Sequence, residues 1–133
     1  MGAMVPPSRK SCYNFRVVSI DRVVDGDTID VSIDLGFDLI KKERVRIAGI
    51  DTPEKGWRAQ TDREKSLALI ARDFLKDMIT SANEVLVYSE DGRGKYGRWL
   101  VHIVCDGVDC SEALIHAELA RPYFGGTKDT TPW

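Results

Sequence analysis

Between Phe15 and Ile50 the apolar residues recur with a period close to two, and that rhythm commits this stretch to strands. The cleanest case is Thr28-Ile29-Asp30-Val31-Ser32-Ile33, with Ile29, Val31 and Ile33 on one face and Thr28, Asp30 and Ser32 on the other. Such alternation is the mark of a half-buried antiparallel strand. Phe15 to Val24 is rich in β-branched residues and alternates in part. Leu39 to Ile50 is polar at Lys41-Lys42-Glu43-Arg44 and then alternates through Val45, Ile47 and Gly49. Asp25-Gly26-Asp27 and Gly36 supply turns between them. Three strands joined by short turns predict a meander.

The rhythm then changes. Asp51-Thr52-Pro53-Glu54-Lys55-Gly56 reads as loop, and Thr61-Asp62-Arg63-Glu64 as a capping box opening a helix. Leu67, Ile70, Ala71, Phe74, Leu75 and Met78 follow at helical spacing, which predicts a helix to about Ile79 with these residues in the core. Glu84 to Ser89 and Trp99 to Val104 are two further strands, separated by the glycine-rich Asp91 to Gly97. Asp106-Gly107 turns the chain, and Asp109-Cys110-Ser111-Glu112 is a second capping signal, for a short helix through Leu119. The order β-β-β-α-β-β-α is that of a five-stranded OB-type barrel, an α+β, mainly β fold with two to three helices.

A length of 133 residues allows one domain of ordinary size. Met1-Gly2-Ala3-Met4 reads as a cloning scar, so residues 1–13 are taken as scar and leader, 14–126 as the folded domain and 127–133 as an irregular tail. Hydrophobic residues at 43% exclude disorder as the dominant state. No apolar run approaches the ~20 residues of a membrane helix, and no membrane or obligate protein partner is expected. Cys12, Cys105 and Cys110 match neither a disulfide framework nor a zinc pattern, and they read as small buried thiols, although Cys105 and Cys110 flank one turn and could approach. His102 and His116 read as structural or surface residues. No signal-peptide segment is present, so the chain as it stands is expected in the cytoplasm. The net charge of −2 argues against a generally basic nucleic-acid binder.

Local chemistry argues otherwise. Asp25, Asp27, Asp51 and Glu54 fall at strand ends, where carboxylates with backbone carbonyls are suited to hard cations such as Ca²⁺ or Mg²⁺. The spacing around Asp25 rejects an EF-hand, since Asp30 stands where its glycine belongs. Arg46 lies mid-strand, opposite in facing to Val45 and Ile47, and Arg98 opens the fifth strand after Lys95-Tyr96-Gly97. Arginine grips phosphate oxygens bidentately and stays charged. Two arginines with a carboxylate cluster suit phosphoryl-transfer chemistry.

Val24-Asp-Gly-Asp-Thr28, Arg46-x-x-x-Ile50-Asp-Thr-Pro-Glu54 and Lys95-Tyr-Gly-Arg98 together resemble the three-part signature of the staphylococcal nuclease family. Ser111-Glu-Ala-Leu-Ile115 is similar to the helix that follows it there, so the resemblance covers roughly Phe15 to Tyr123. It implies an OB-fold, Ca²⁺-dependent phosphodiesterase acting on DNA and RNA and leaving 3′-phosphate ends. By resemblance Asp27, Asp51 and the Thr52 carbonyl hold Ca²⁺, with Asp25 nearby through water. Glu54 activates or orients the attacking water, and Arg46 and Arg98 grip the scissile phosphate. Lys95 and Tyr96 contact the neighbouring phosphate, and Tyr123 or Phe124 lies beside a base. Members of the family are often exported. The competing reading is a catalytically inactive OB-fold nucleic-acid-binding module, of a kind that usually lacks the acidic and arginine positions kept here.

Overall fold

A computed structural model describes residues 14–93 and 97–133. Five long strands form a closed barrel: β1 (Asn14–Asp25), β2 (Thr28–Asp34), β3 (Ile40–Ile47), β5 (Val85–Arg93) and β6 (Trp99–Cys105). They run in the order β3-β2-β1-β5-β6, and β6 pairs back to β3. All neighbours are antiparallel except this closing pair, which is parallel with Val45, Arg46 and Ile47 opposite Trp99, Leu100 and Val101. Three register shifts in β1 against β2 let the long first strand coil around the barrel.

The alternation of β2 and β3 faces Ile29, Val31, Val45 and Ile47 inward, where each is 1% exposed or less. Each such side chain removed from water contributes roughly 1.5–3 kcal/mol. Helix α1 (Asp62–Ser81) packs on β1, with Ala68, Ala71, Leu75 and Ile79 buried. Its apolar stripe is narrower than its sequence spacing predicts. Leu67, Phe74 and Met78 pack at the margin of the core, and Ile70 is 52% exposed because its position turns to the solvent flank of the helix.

Three further elements depart from expectation. The third strand does not run through to Ile50. Gly49, at φ +82°, breaks it, and β4 (Ile50–Asp51) pairs instead with β8 (Arg121–Pro122). This pairing brings the segment from Arg121 back beside the Gly49 break. Helix α2 (Cys110–His116), which follows the short strand β7 (Val108–Asp109), stops before Leu119. Leu119 N–H donates to the Leu114 carbonyl at 2.9 Å, with Glu118 at φ +60° closing the turn. Cys105 and Cys110 do approach: both are buried, free, and 3.5 Å apart at sulfur. Contact with Cys105 and burial push the Cys110 thiol up, so it stays protonated.

Candidate active site

Barrel closure decides where the charged residues meet. Thr28 lies opposite Arg46 across β2–β3, and Arg46 opposite Leu100 across β3–β6. Asp27, Thr28, Arg46 and Arg98 are thereby brought to one rim, although they come from three separate stretches of chain. Arg46 Nη2 lies 3.5 Å from Asp27 Oδ2. Arg98 Nη1 donates to the Thr28 hydroxyl at 3.1 Å, and that hydroxyl donates to Asp27 Oδ1 at 3.1 Å. Both guanidinium groups thus converge on Asp27, one directly and one through Thr28. Thr28 is 3% exposed, and nothing in its local sequence distinguishes it from any other strand threonine.

Arg46 has a second task. It donates to the carbonyls of Ile47 (3.1 Å) and Ile50 (2.9 Å), on either side of the Gly49 break. This fixes the turn that leads into Asp51. Ser111, at the start of α2, supports the same turn by donating to the Ala48 carbonyl at 2.9 Å.

Asp51 and Glu54 follow on β4 and the loop after it. Lys128 Nζ lies 3.2 Å from Asp51 Oδ1 and 4.0 Å from Glu54 Oε1. Burial pushes the Glu54 carboxyl above the usual range, and repulsion from Asp27 and then Asp51 adds to it, against the pull of Lys128 and Arg58. Glu54 therefore lies within electrostatic range of both aspartates. Shifts of this kind concentrate where chemistry is done. Thr52, next to Asp51, is 3% exposed.

The remaining expected residues divide. Asp25 is turned to Lys55, whose Nζ lies 3.4 Å away and also donates to the Val24 carbonyl at 2.8 Å. Tyr123 stands beside the site, its ring 5.7 Å from both the Arg46 guanidinium and the Lys128 ammonium. Its N–H donates to the Gly49 carbonyl at 2.9 Å. Phe124 is 89% exposed, with its ring edge over Gly49. Lys95 and Tyr96 lie outside the described residues.

Glu64 and Lys128 have no counterpart in the expected site. Thr61 caps α1 as predicted, accepting from Glu64 N–H at 3.0 Å. The Glu64 carboxylate, however, passes beyond the cap to accept from Gln60 N–H and Glu54 N–H, each at 2.8 Å. The capping-box pattern marks Glu64 as a helix-start residue but does not reveal that it holds Glu54. Lys128 sits in a tail with no pattern of its own.

The ligands expected from sequence are all oxygen donors: the Asp27 and Asp51 carboxylates and the Thr52 carbonyl. That set suits a hard divalent cation. Among the described residues no group of three or more His, Cys, Asp or Glu side chains is gathered closely enough to chelate a metal by itself. A cation held here thus requires carbonyl and water oxygens as well. Lys128, whose side chain is 46% exposed, stands against Asp51 and Glu54 as the nearby positive charge.

Known proteins resemble this chain over most of its length. The family described as staphylococcal nuclease homologue matches residues 44–131. Thermonuclease of Staphylococcus intermedius is 35% identical over 120 residues, covering 89% of this chain and 67% of that protein. Endonuclease YncB of Bacillus subtilis (strain 168) is 33% identical over 116 residues, covering 86% of this chain and 52% of that protein. A probable staphylococcal-like nuclease, CAN1 of Oryza sativa subsp. japonica, is 34% identical over 85 residues, covering 64% of this chain and 23% of that protein. The chain thus spans about two thirds of the first relative and half of the second. On its barrel topology, its site and these matches, the chain belongs to the staphylococcal nuclease family.

Proposed function

We propose that the chain is a Ca²⁺-dependent phosphodiesterase that hydrolyses DNA, RNA or both with little sequence specificity and leaves 3′-phosphate ends. The observation that carries this reading is the convergence of Arg46 and Arg98 on Asp27, beside Asp51 and a Glu54 whose carboxyl is shifted upward. Asp27, Asp51 and the Thr52 carbonyl would hold Ca²⁺, with Asp25 further off through water. When bound, the cation supplies charge neutralisation at a non-bridging phosphate oxygen and an ordered water.

The protein's own residues do the rest. The two guanidinium groups stabilise charge gathering on the phosphate as water attacks in line. Glu54 orients that water and receives its proton. The new P–O bond forms as the bond to the 5′ oxygen breaks; that oxygen takes a proton from solvent water to leave as a hydroxyl, and Glu54 returns its proton to solvent. Arg46 is freed for phosphate by surrendering its 3.5 Å contact with Asp27, which is long for a charge-assisted bond. Lys95, Tyr96 and Tyr123 are assigned to the flanking nucleotide. Low specificity follows because phosphate contacts carry no base information.

Glu54→Gln is expected to slow cleavage by about 10²–10⁴-fold, the usual worth of a positioned general base. Arg46→Ala is expected to lose at least as much. Rates are to be measured on single-stranded DNA in Ca²⁺, with circular dichroism confirming the fold. Wild-type rates in both variants would refute the assignment. A folded wild type that binds but never cuts, in any divalent ion, would instead favour the inactive binding module.

A further inference from the structure

The segment between Glu54 and Gln60 is held more firmly than a connection needs to be. Glu64 is 3% exposed, and its carboxylate accepts from Glu54 N–H and Gln60 N–H, each at 2.8 Å. These are the two ends of one short loop. Burying a carboxylate is unfavourable unless its oxygens are satisfied, and here the satisfying donors are the loop's own ends. Between them the single 3-10 turn Gly56–Arg58 buries no residue.

At the tip stands Trp57, 88% exposed. The Arg58 guanidinium lies over its ring, 5.4 Å from the centroid. Trp57 contributes nothing to the core, yet its loop is pinned at both ends. Three residues of chain span at most about 11 Å, so Trp57 cannot be further than that from Glu54 along the backbone. A flat apolar ring with a cation on it, fixed at the rim of a phosphodiester site, suits one kind of ligand: an unstacked nucleobase on a polyanionic strand. Bases within a duplex are already stacked and cannot offer a face.

We propose that Trp57 is a stacking platform for a base of single-stranded DNA or RNA flanking the scissile phosphate, and that Glu64 is the positioning residue that holds the platform. The proposal rests on the phosphodiesterase reading above for the site it flanks. It is tested by binding, so that the two can fail separately. Fluorescence polarisation would compare a labelled oligothymidylate with the same strand carrying abasic spacers, in Ca²⁺, on the Glu54→Gln protein to prevent cutting. The base-bearing strand is expected to bind about tenfold more tightly. Adding Trp57→Ala should collapse that ratio toward one, and adding Trp57→Phe should restore most of it. Adding Glu64→Gln, which keeps one acceptor oxygen of two, should lower the ratio while the thermal transition remains cooperative.

A ratio unchanged by Trp57→Ala overturns the platform, whatever the protein cuts. A ratio unchanged by Glu64→Gln overturns the positioning role. Wild-type cleavage of the oligothymidylate, measured in parallel, tests the phosphodiesterase reading. If cleavage is absent while the Trp57-dependent ratio persists, the platform stands and hydrolysis falls.

Discussion

At Gly26 the turn between β1 and β2 passes so close to helix α1 that a Cβ would stand 3.0 Å from both the Ala71 Cβ and the Thr52 Cγ2. Neither neighbour can swing away: Ala71 is fully buried in the helix, and Thr52 is 3% exposed beside Asp51. Gly26→Ala should therefore destabilise the protein by about 1–3 kcal/mol through overpacking. Urea unfolding would measure this, and activity should fall with it because Asp27 and Thr52 are both displaced. An unchanged midpoint would show that the turn has slack. In sequence, Asp25-Gly26-Asp27 reads as turn chemistry, and that reading is sound as far as it goes. The reason for the glycine is invisible there, because the atoms it must avoid belong to residues distant along the chain. The same holds for Thr28 and Lys128, whose partners are fixed only by barrel closure and by the return of the tail. Arg46, Arg98, Asp27, Asp51 and Glu54 could be singled out in sequence because the motif order marks them, and strand alternation sets the facing of Arg46.

Among the elements, α1 shows how a local signal can be right and incomplete. Thr61 caps the helix by accepting from Glu64 N–H, and the helix begins where the pattern says. The buried carboxylate of Glu64 additionally fastens the loop that carries Glu54. Two substitutions separate these tasks. Thr61→Ala removes the cap alone and should lower stability by about 1 kcal/mol. Glu64→Ala strands two N–H donors and should cost about 1.5–3 kcal/mol. It should also reduce cleavage far more than Thr61→Ala does. Equal losses of activity in the two variants would mean that Glu64 acts only as part of the helix start. The strands β4 and β8 were missed for a related reason. A two-residue pairing has no periodicity to read, and the alternation of β3 runs up to Gly49 without marking that the strand breaks there.

For the whole molecule, charge governs both stability and partner choice. Asp106 is held below the ordinary carboxylate value by the N–H groups of Asn83 and Glu84. The unfolded chain thus takes up this proton at a higher pH than the folded one. Its contribution is complete above the ordinary value of 3.8 and is lost as pH falls through the folded value. Asp106→Asn should lower the melting temperature at pH 7, and the gap to wild type should close as the pH drops below that value. A gap that persists in acid would assign the effect to packing at the turn instead of to the carboxylate. The overall charge of −2 excluded a broadly basic surface. A bound Ca²⁺ would bring it near zero and place the positive field where Arg46 and Arg98 already converge.

Cleavage of single-stranded DNA with Ca²⁺ present, removed and restored is the decisive measurement of the proposed activity. Cutting is expected in Ca²⁺, with loss of cutting on addition of EDTA, recovery when Ca²⁺ is returned in excess, and new 3′-phosphate ends. Cutting that continues undiminished in EDTA, or a folded protein that never cuts in Ca²⁺, would contradict it.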